Sequence, residues 1–455
     1  MTKPPAKKAH ATPAAPAALT MAKGALAIVF SVQLVTAIGN TGMQSVLPAI
    51  GRQIGIPDFL IAGIFSLSAL LWAICSPFWA READRRGRKP LIMLGMAGFA
   101  VSMMLCAGVV AAGLRHLAGP LVIFLVFLLA RAIFGFLGSA APPASQAYLA
   151  ERTDRGGRTS AIAALAAAFG MGTAIGPAIA PIFAPGPTAP KPLAAIGLSG
   201  PMIAFSLIAF GVLIWVIKGL PEIWPPAHNP AAEAQVGGEK QPPLWKDPRV
   251  KPFLIYGLLV ASCQTAQYQT LGFLIIDKLN LPPLQAQSFT ALAMMAGAVA
   301  GMLAQWGLIK VFNMSPRLLI RWGALAAALA NLITAFAPNY FVVAAGFTLS
   351  SLGYGLARPG YSAGASLAVD QKDQARAAGA VAAVNGLNTV IAPAFVLLYE
   401  HFHPGPYLLN LVILIAMLIY TFRNPALAAS SEAPPPDNDA AAEASLESNS
   451  AGSGF

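Results

Sequence analysis

Charged side chains are scarce in these 455 residues. Asp, Glu, Lys and Arg make up 10% of the chain, hydrophobic residues make up 56%, and mean hydropathy is +0.65. Soluble domains carry roughly 25% charged residues, so this chain cannot cover itself with solvated surface and its apolar excess must face lipid. Cysteine is nearly absent. Cys75, Cys106 and Cys263 all fall inside apolar runs, where they read as small buried hydrophobes and offer no disulfide framework. Those runs also lack acid and histidine. His10, His116, His228, His401 and His403 lie in loops or tails, and all 18 acids can be placed outside the membrane centre, with Asp58, Asp277 and Glu400 near the outer face. A membrane-embedded enzyme or receptor needs a His/Asp/Glu constellation or a nucleophile–base pair at that depth, so this inventory leaves almost no room for one. No metal or cofactor is expected. Strand-period alternation is missing too, which argues against an outer-membrane barrel. Residues 1–22 are a Pro/Ala/Lys tail without the apolar core of a cleavable signal, and the first apolar run is long enough to span by itself.

What the sequence has in abundance is apolar runs of about 20 residues, the length that crosses a bilayer core as a helix. They recur at 24–48, 59–79, 91–113, 120–141, 159–183, 199–218, 251–277, 286–309, 319–337, 340–366, 376–398 and 405–422. The predicted fold class is an all-α integral membrane bundle of about twelve transmembrane helices in two six-helix halves, 23–218 and 251–423. Residues 219–250, Pro-rich and polar, read as a cytoplasmic linker; 1–22 and the acidic 424–455 read as disordered tails. With both termini cytoplasmic, Arg52, Arg115, Lys191 and Lys278 fall outside, Arg131 and Arg358 within spans, and the remaining Lys and Arg inside. That is the positive-inside rule. The net charge of +11 therefore reports topology in a multi-pass protein of a bacterial-type inner membrane, not a nucleic-acid partner.

The halves carry a weak internal repeat. YLAERTDRGGRTSAIAA (148–164) and SLAVDQKDQARAAGAVAA (366–383) each join the fourth span of a half to its fifth, and aligning Leu149 with Leu367 also aligns Arg158 with Arg376 and Gly135 with Gly353. Repeats of this kind place a substrate site near mid-membrane between the halves.

The segment between spans two and three reads Ala80-Arg-Glu-Ala-Asp84-Arg85-Arg86-Gly87-Arg88-Lys89-Pro90. A plain basic loop would explain the arginines but not an aspartate and a glycine at these spacings. The pattern resembles the G-x-x-x-D-R-x-G-R-[RK] hallmark of the major facilitator superfamily, with Ala80 in place of the leading glycine. Gly87 suits a tight turn, and Arg88 can pair with a carboxylate such as Glu151. The resemblance implies that Asp84, Arg85, Gly87, Arg88 and Glu151 latch the outward-facing state, Asp84 accepting hydrogen bonds from a facing helix N-terminus.

Two further segments extend the resemblance. Arg131-Ala-Ile-Phe-Gly135 is similar to the R-x-x-x-G motif of the superfamily's proton-coupled drug exporters, the tetracycline-exporter-like branch. Gly172-Thr-Ala-Ile-Gly176-Pro177 is similar to the antiporter signature, with Ala180 and Pro181 replacing its last glycine pair; close helix packing through small residues is the alternative reading. Arg131 lies about 16 Å into its span at 1.5 Å per residue. A charge there costs at least ~2.5 kcal/mol, so it should face a cavity or a partner.

Polar residues form stripes in four spans: Gln33, Asn40 and Gln44; Gln264, Gln267 and Tyr268; Tyr354, Arg358 and Tyr361; Asn385 and Asn388. Residues three, four or seven apart share a helical face, and a shared aqueous cavity accounts for whole stripes better than scattered interhelical hydrogen bonds do. Many related exporters carry an acid in the first span, where this chain has Thr36 and Asn40. Proton coupling is thus expected to run through peripheral acids, chiefly Asp84, or through the substrate, or to be absent. Arg131 and Arg358 lack mid-membrane counter-ions, which points to an anionic group on the substrate. The expected protein is a monomeric secondary carrier in the lipid bilayer, working by alternating access and exporting a small organic molecule. An importer, symporter or uncoupled carrier of an organic anion is the alternative.

Overall fold

The computed structural model describes residues 24–153, 155–184, 197–221, 244–369 and 373–428, and among these it is helical with no strand. Among the described residues, twelve helices cross the bundle. In the amino-terminal half they are α1 (Ala25–Ile54), α2 (Asp58–Arg86), α3 (Arg88–Leu114), α4 (Pro120–Arg152, with a 3-10 turn at Gly138–Ala140), α5 (Arg155–Ile179) and α6 (Gly200–Gly219). In the carboxy-terminal half they are α7 (Lys251–Leu279), α8 (Pro283–Met302, prolonged by a π turn at Leu303–Leu308), α9 (Pro316–Ala335), α10 (Tyr340–Leu367), α11 (Gln374–Leu387, continuing through a 3-10 turn into Ala392–His401) and α12 (Gly405–Arg423).

Ten of the twelve are long and apolar enough to cross a membrane by composition alone. The others, α7 and α11, depart for visible reasons. Helix α7 carries Gln264, Thr265, Gln267, Tyr268 and Gln269, and α11 loses its α-helical register at Asn388–Ile391. Large apolar side chains point outward along the bundle, such as Leu121, Leu125 and Leu129 of α4, with Trp306 and Trp322 on α8 and α9. A bilayer, not water, is the solvent that tolerates such a surface.

The predicted loop at 80–90 is mostly helix. Helix α2 runs on through Arg86, supported by the Glu82–Arg86 ion pair one turn apart, and α3 starts at Arg88. Only Gly87, at φ 95° and ψ 163°, breaks the path. Of the predicted carboxy-terminal tail, Pro425–Ala428 forms a short helix whose Leu427 is fully buried. The internal linker is described from Leu244 onward, where Val250 already packs into the core.

Successive helices run in opposite directions, so the bundle has two ends. One, the basic face, carries the α2–α3 corner. The other carries the end of α1, the start of α2 and the ends of α7 and α11. Among the described residues, two large clusters of buried apolar residues form the core, the first running through the whole of the first half. This cluster joins Ile50, Ile54 and Ile61 of the first half to Leu271, Phe273 and Ile275 of α7 and to Val396 and Tyr399 of α11. The other stays within the second half, joining α7, α9, α10, α11 and α12 around Tyr256, Ala327 and Tyr354. The halves are therefore welded at the face opposite the basic one.

Candidate functional site

Helix α4 enters from the opposite face behind Pro120, and an unbroken apolar stretch carries Arg131 to mid-bundle. Its side chain is 1% exposed. The guanidinium stacks over the Phe134 ring at 4.6 Å and lies 5.7 Å from the Phe65 centroid, and its Nη2 donates to Asn40 Oδ1 at 2.8 Å. Nε and Nη1 have no hydrogen-bond partner. No carboxylate pairs with it among the described residues. Taking a cation out of water costs several kcal/mol even after relaxation, and two aromatic faces with one amide repay only part of that. The site holds an uncompensated buried charge whose one hydrogen-bond partner, Asn40, is itself half-buried.

The remaining sequence-predicted residues separate into two groups. Gln33 is buried, while Asn40 and Gln44 on the same α1 face are half-buried. On α7, Gln264 is half-buried and Gln267 is 1% exposed, with neither amide atom of Gln267 hydrogen-bonded. Tyr268 packs edge-on against Phe347, and Arg358 of α10 is exposed. Asn388 accepts from Thr265 Oγ1 at 3.2 Å, tying α11 to α7 at the 3-10 turn. The side chain of Asn385 lies outside the described residues.

Tyr354 and Tyr361 turn the other way, into the core of the second half. Asn331 Nδ2 donates to the Tyr354 hydroxyl at 3.3 Å, and Tyr361 packs on Gly257 with Tyr256 beside it. The stripe arithmetic placed them on the face of Arg358, but Gly355 and Gly360 let α8 and α9 approach so closely that α10 is enclosed on most sides. Sequence reading missed the buried amides Asn331 and Asn410, which bond each other at 3.1 Å, Asn410 also reaching the Cys263 carbonyl at 3.1 Å. Each is the lone amide of its span, so no stripe of amides announced it. Phe65 and Phe134 were equally invisible, because a phenylalanine in an apolar run reads as lipid-facing.

At the basic face, Arg88 is the hub. It pairs with Asp84 at 2.5 Å and with Glu151 of α4 at 2.7 Å, and Lys89 donates to the Ile217 carbonyl of α6 at 2.8 Å. Arg85 is largely exposed beside Glu82. These links stay within the first half. Asp84, 59% exposed, meets Arg88, and among the described residues no helix N-terminus of the second half is recorded as its partner.

Gly172 and Gly176 lie directly against α1. A Cβ at Gly172 would sit 2.5 Å from that of Ala37, and one at Gly176 2.3 Å from the Ile38 carbonyl and 2.4 Å from Thr41 Oγ1. Pro177 follows within the same helix. Gly176→Leu is expected to cost about 1–3 kcal/mol of overpacking, read as a lower melting temperature and less monodisperse protein after detergent extraction. An unchanged melting curve would show that α1 and α5 need no such contact.

Comparison with known proteins agrees with this architecture. A family model described as Major Facilitator Superfamily matches residues 29–393. Multidrug resistance protein MdtG of Serratia proteamaculans (strain 568) is 31% identical over 166 residues, 36% of this chain and 34% of that protein. Multidrug efflux pump LfrA of Mycolicibacterium smegmatis is 34% identical over 174 residues, 37% and 31% of the two. Tetracycline resistance protein, class D, of Salmonella ordonez is 30% identical over 156 residues, 33% and 36%. The chain thus spans roughly a third of these relatives' own length. Among solved structures, a D-xylose–proton symporter superposes with TM-score 0.68 at 13% identity, covering 88% of this chain and 97% of that one. A bacterial homolog of the human lysosomal transporter Spinster, inward-facing and occupied, gives 0.66 at 12% over 91% and 98%. At these identities the likeness is one of fold.

Proposed function

The chain belongs to the major facilitator superfamily, and from that premise we propose that it is a monomeric secondary carrier exporting a small organic anion by alternating access. The observation that carries the reading is Arg131, a buried guanidinium with two unpartnered nitrogens and no carboxylate beside it. A substrate carboxylate or comparable anionic group supplies the missing charge, and a planar guanidinium is suited to hold it bidentately. Asn40 is the relay: it binds Arg131 on one side and, half-buried on the Gln33–Gln44 face, can pass to substrate on the other. Gln267, with both amide atoms free of partners, and Arg358 are the matching groups of the second half. The gating role of Asp84, Arg85, Gly87, Arg88 and Glu151 belongs to this reading as well.

The drug-exporting relatives support export as the direction. The distribution of Lys and Arg supports an inner membrane with the basic face and both termini cytoplasmic. Between the two faces the described residues include no carboxylate and no imidazole. Proton coupling in this reading therefore runs through acids at the ends, chiefly Asp84, or through protonation of the substrate. Comparing the anionic metabolites in the medium of cells with and without the protein tests the proposal. An anion should accumulate outside only when the wild-type chain is present; equal media from both strains would remove the export reading.

A further inference from the structure

Taking the orientation proposed above, we propose that Arg52 is an extracytoplasmic latch: one guanidinium shared by acids of both halves holds the outer face shut and sets the resting state of the carrier. Arg52 sits at the outer end of α1. Its Nη2 donates to Asp58 Oδ2 at 2.7 Å, within its own half, and its Nε reaches both Asp58 oxygens at 3.3 Å. The same group crosses to α7, where Nη1 pairs with Asp277 Oδ1 and Nη2 reaches Asp277 Oδ2 at 3.1 Å. The guanidinium also lies 5.4 Å from the centroid of the Phe273 ring of α7. Asp58 orients the arginine, and Asp277 is what it grips.

The second half is prepared for this grip. Tyr399 of α11 donates its hydroxyl to Asp277 Oδ2 at 2.5 Å, and His403 Nε2 lies 3.6 Å from the same oxygen. One residue on, Glu400 Oε1 accepts from the backbone amide of Phe59 at 3.0 Å, so an acid of one half caps the positive end of α2 in the other. Beneath the charges the backbones close up. A Cβ at Gly272 of α7 would lie 2.6 Å from Pro48 Cγ of α1, and Ser66 Oγ of α2 donates to the Thr389 carbonyl of α11 at 2.8 Å.

The contrast with the basic face gives the cluster its meaning. There Arg88 with Asp84 and Glu151, and Arg86 with Glu82, join residues of the first half. Among the described residues, the Arg52–Asp277 ion pair bridges the halves, and it stands at the outer end. It is also only partly buried, the side chains of Arg52 and Asp277 being 24% and 29% exposed. Water can thus take over both groups when they part, as a reversible latch requires, whereas a fully buried pair would leave a stranded charge. A carrier that takes substrate from the cytoplasm gains from resting closed to the outside, since its binding-competent state is then the populated one.

The test uses the full-length chain with Cys75, Cys106 and Cys263 replaced by alanine and Ser66→Cys as the reporter, near-isosteric and two turns beneath the latch. In right-side-out vesicles a membrane-impermeant maleimide should label this cysteine slowly. Arg52→Gln and Asp277→Asn should each speed labelling at least about tenfold by shifting population to the outward-open state. His403→Gln, which alters only the second half's side, should stay within about twofold. Asp277→Asn is isosteric and carries the test alone should Arg52→Gln fail to reach the membrane. Labelling unchanged in Asp277→Asn, or raised equally by His403→Gln, overturns the latch. Acceleration seen only in everted vesicles supports the latch and overturns the orientation instead, so the two readings fail separately.

Discussion

Arg131→Met is expected to abolish transport while leaving the protein as stable as the parent or more so. Methionine approximates the length of the side chain and can lie between Phe134 and Phe65, where the guanidinium now sits. It needs no partner for Nε and Nη1, the two nitrogens left unpaired. Replacing buried ionic groups by apolar residues of similar volume is commonly neutral or stabilising by about 1–4 kcal/mol. A group kept at such a cost has work to do in the transport cycle. Arg131→Lys should recover less than about a tenth of wild-type transport, because an ammonium keeps the charge but not the fork that bonds Asn40 and a carboxylate together. Melting curves of purified variants, with transport measured in parallel, check both statements. Full activity from the lysine variant would mean that a positive field suffices, and a large loss of stability in the methionine variant would make Arg131 a structural residue.

Gly87→Val should remove transport with the protein still in the membrane. The residue stands at φ 95° and ψ 163°, a region essentially restricted to glycine, where other residues cost about 1–3 kcal/mol and a β-branched one the most. Relief of that strain swings α3 away from α2 and pulls Arg88 off Asp84 and Glu151. Asp84→Asn attacks the same hub by charge alone, without touching the backbone, and is expected to be equally inactive. Transport near normal in either well-expressed variant would end the gating assignment for this corner.

Much of the architecture is legible in the sequence because lipid imposes a simple rule on it. A run of about 20 apolar residues has to be a helix, and the excess of Lys and Arg marks one side of the membrane. The corner at Gly87 can be read for a similar reason, since a glycine between two helix-forming, charged stretches has few other uses. Contacts between the halves cannot be read that way. Arg52 and Asp277 are 225 residues apart and each looks like a stray charge at the end of a span. Only the fold makes them a pair. The stripes were legible as faces but not as directions: Asn40 and Gln44 stay half-buried on α1 while Gln33 is buried, and Tyr354 and Tyr361 are turned into the apolar core of the second half, where Tyr354 meets Asn331. Which neighbour a face meets depends on small residues of other helices, such as Gly323 of α9 against α10, whose packing is not local information.

The most direct measurement of the central claim is uptake of an organic anion into vesicles of opposite orientation, using the anion that the medium comparison identifies. Everted vesicles carrying the wild-type chain should accumulate it, right-side-out vesicles should not, and Arg131→Met should reduce the everted uptake to that of vesicles without the protein. Accumulation confined to right-side-out vesicles, or everted uptake undiminished by Arg131→Met, would contradict the account.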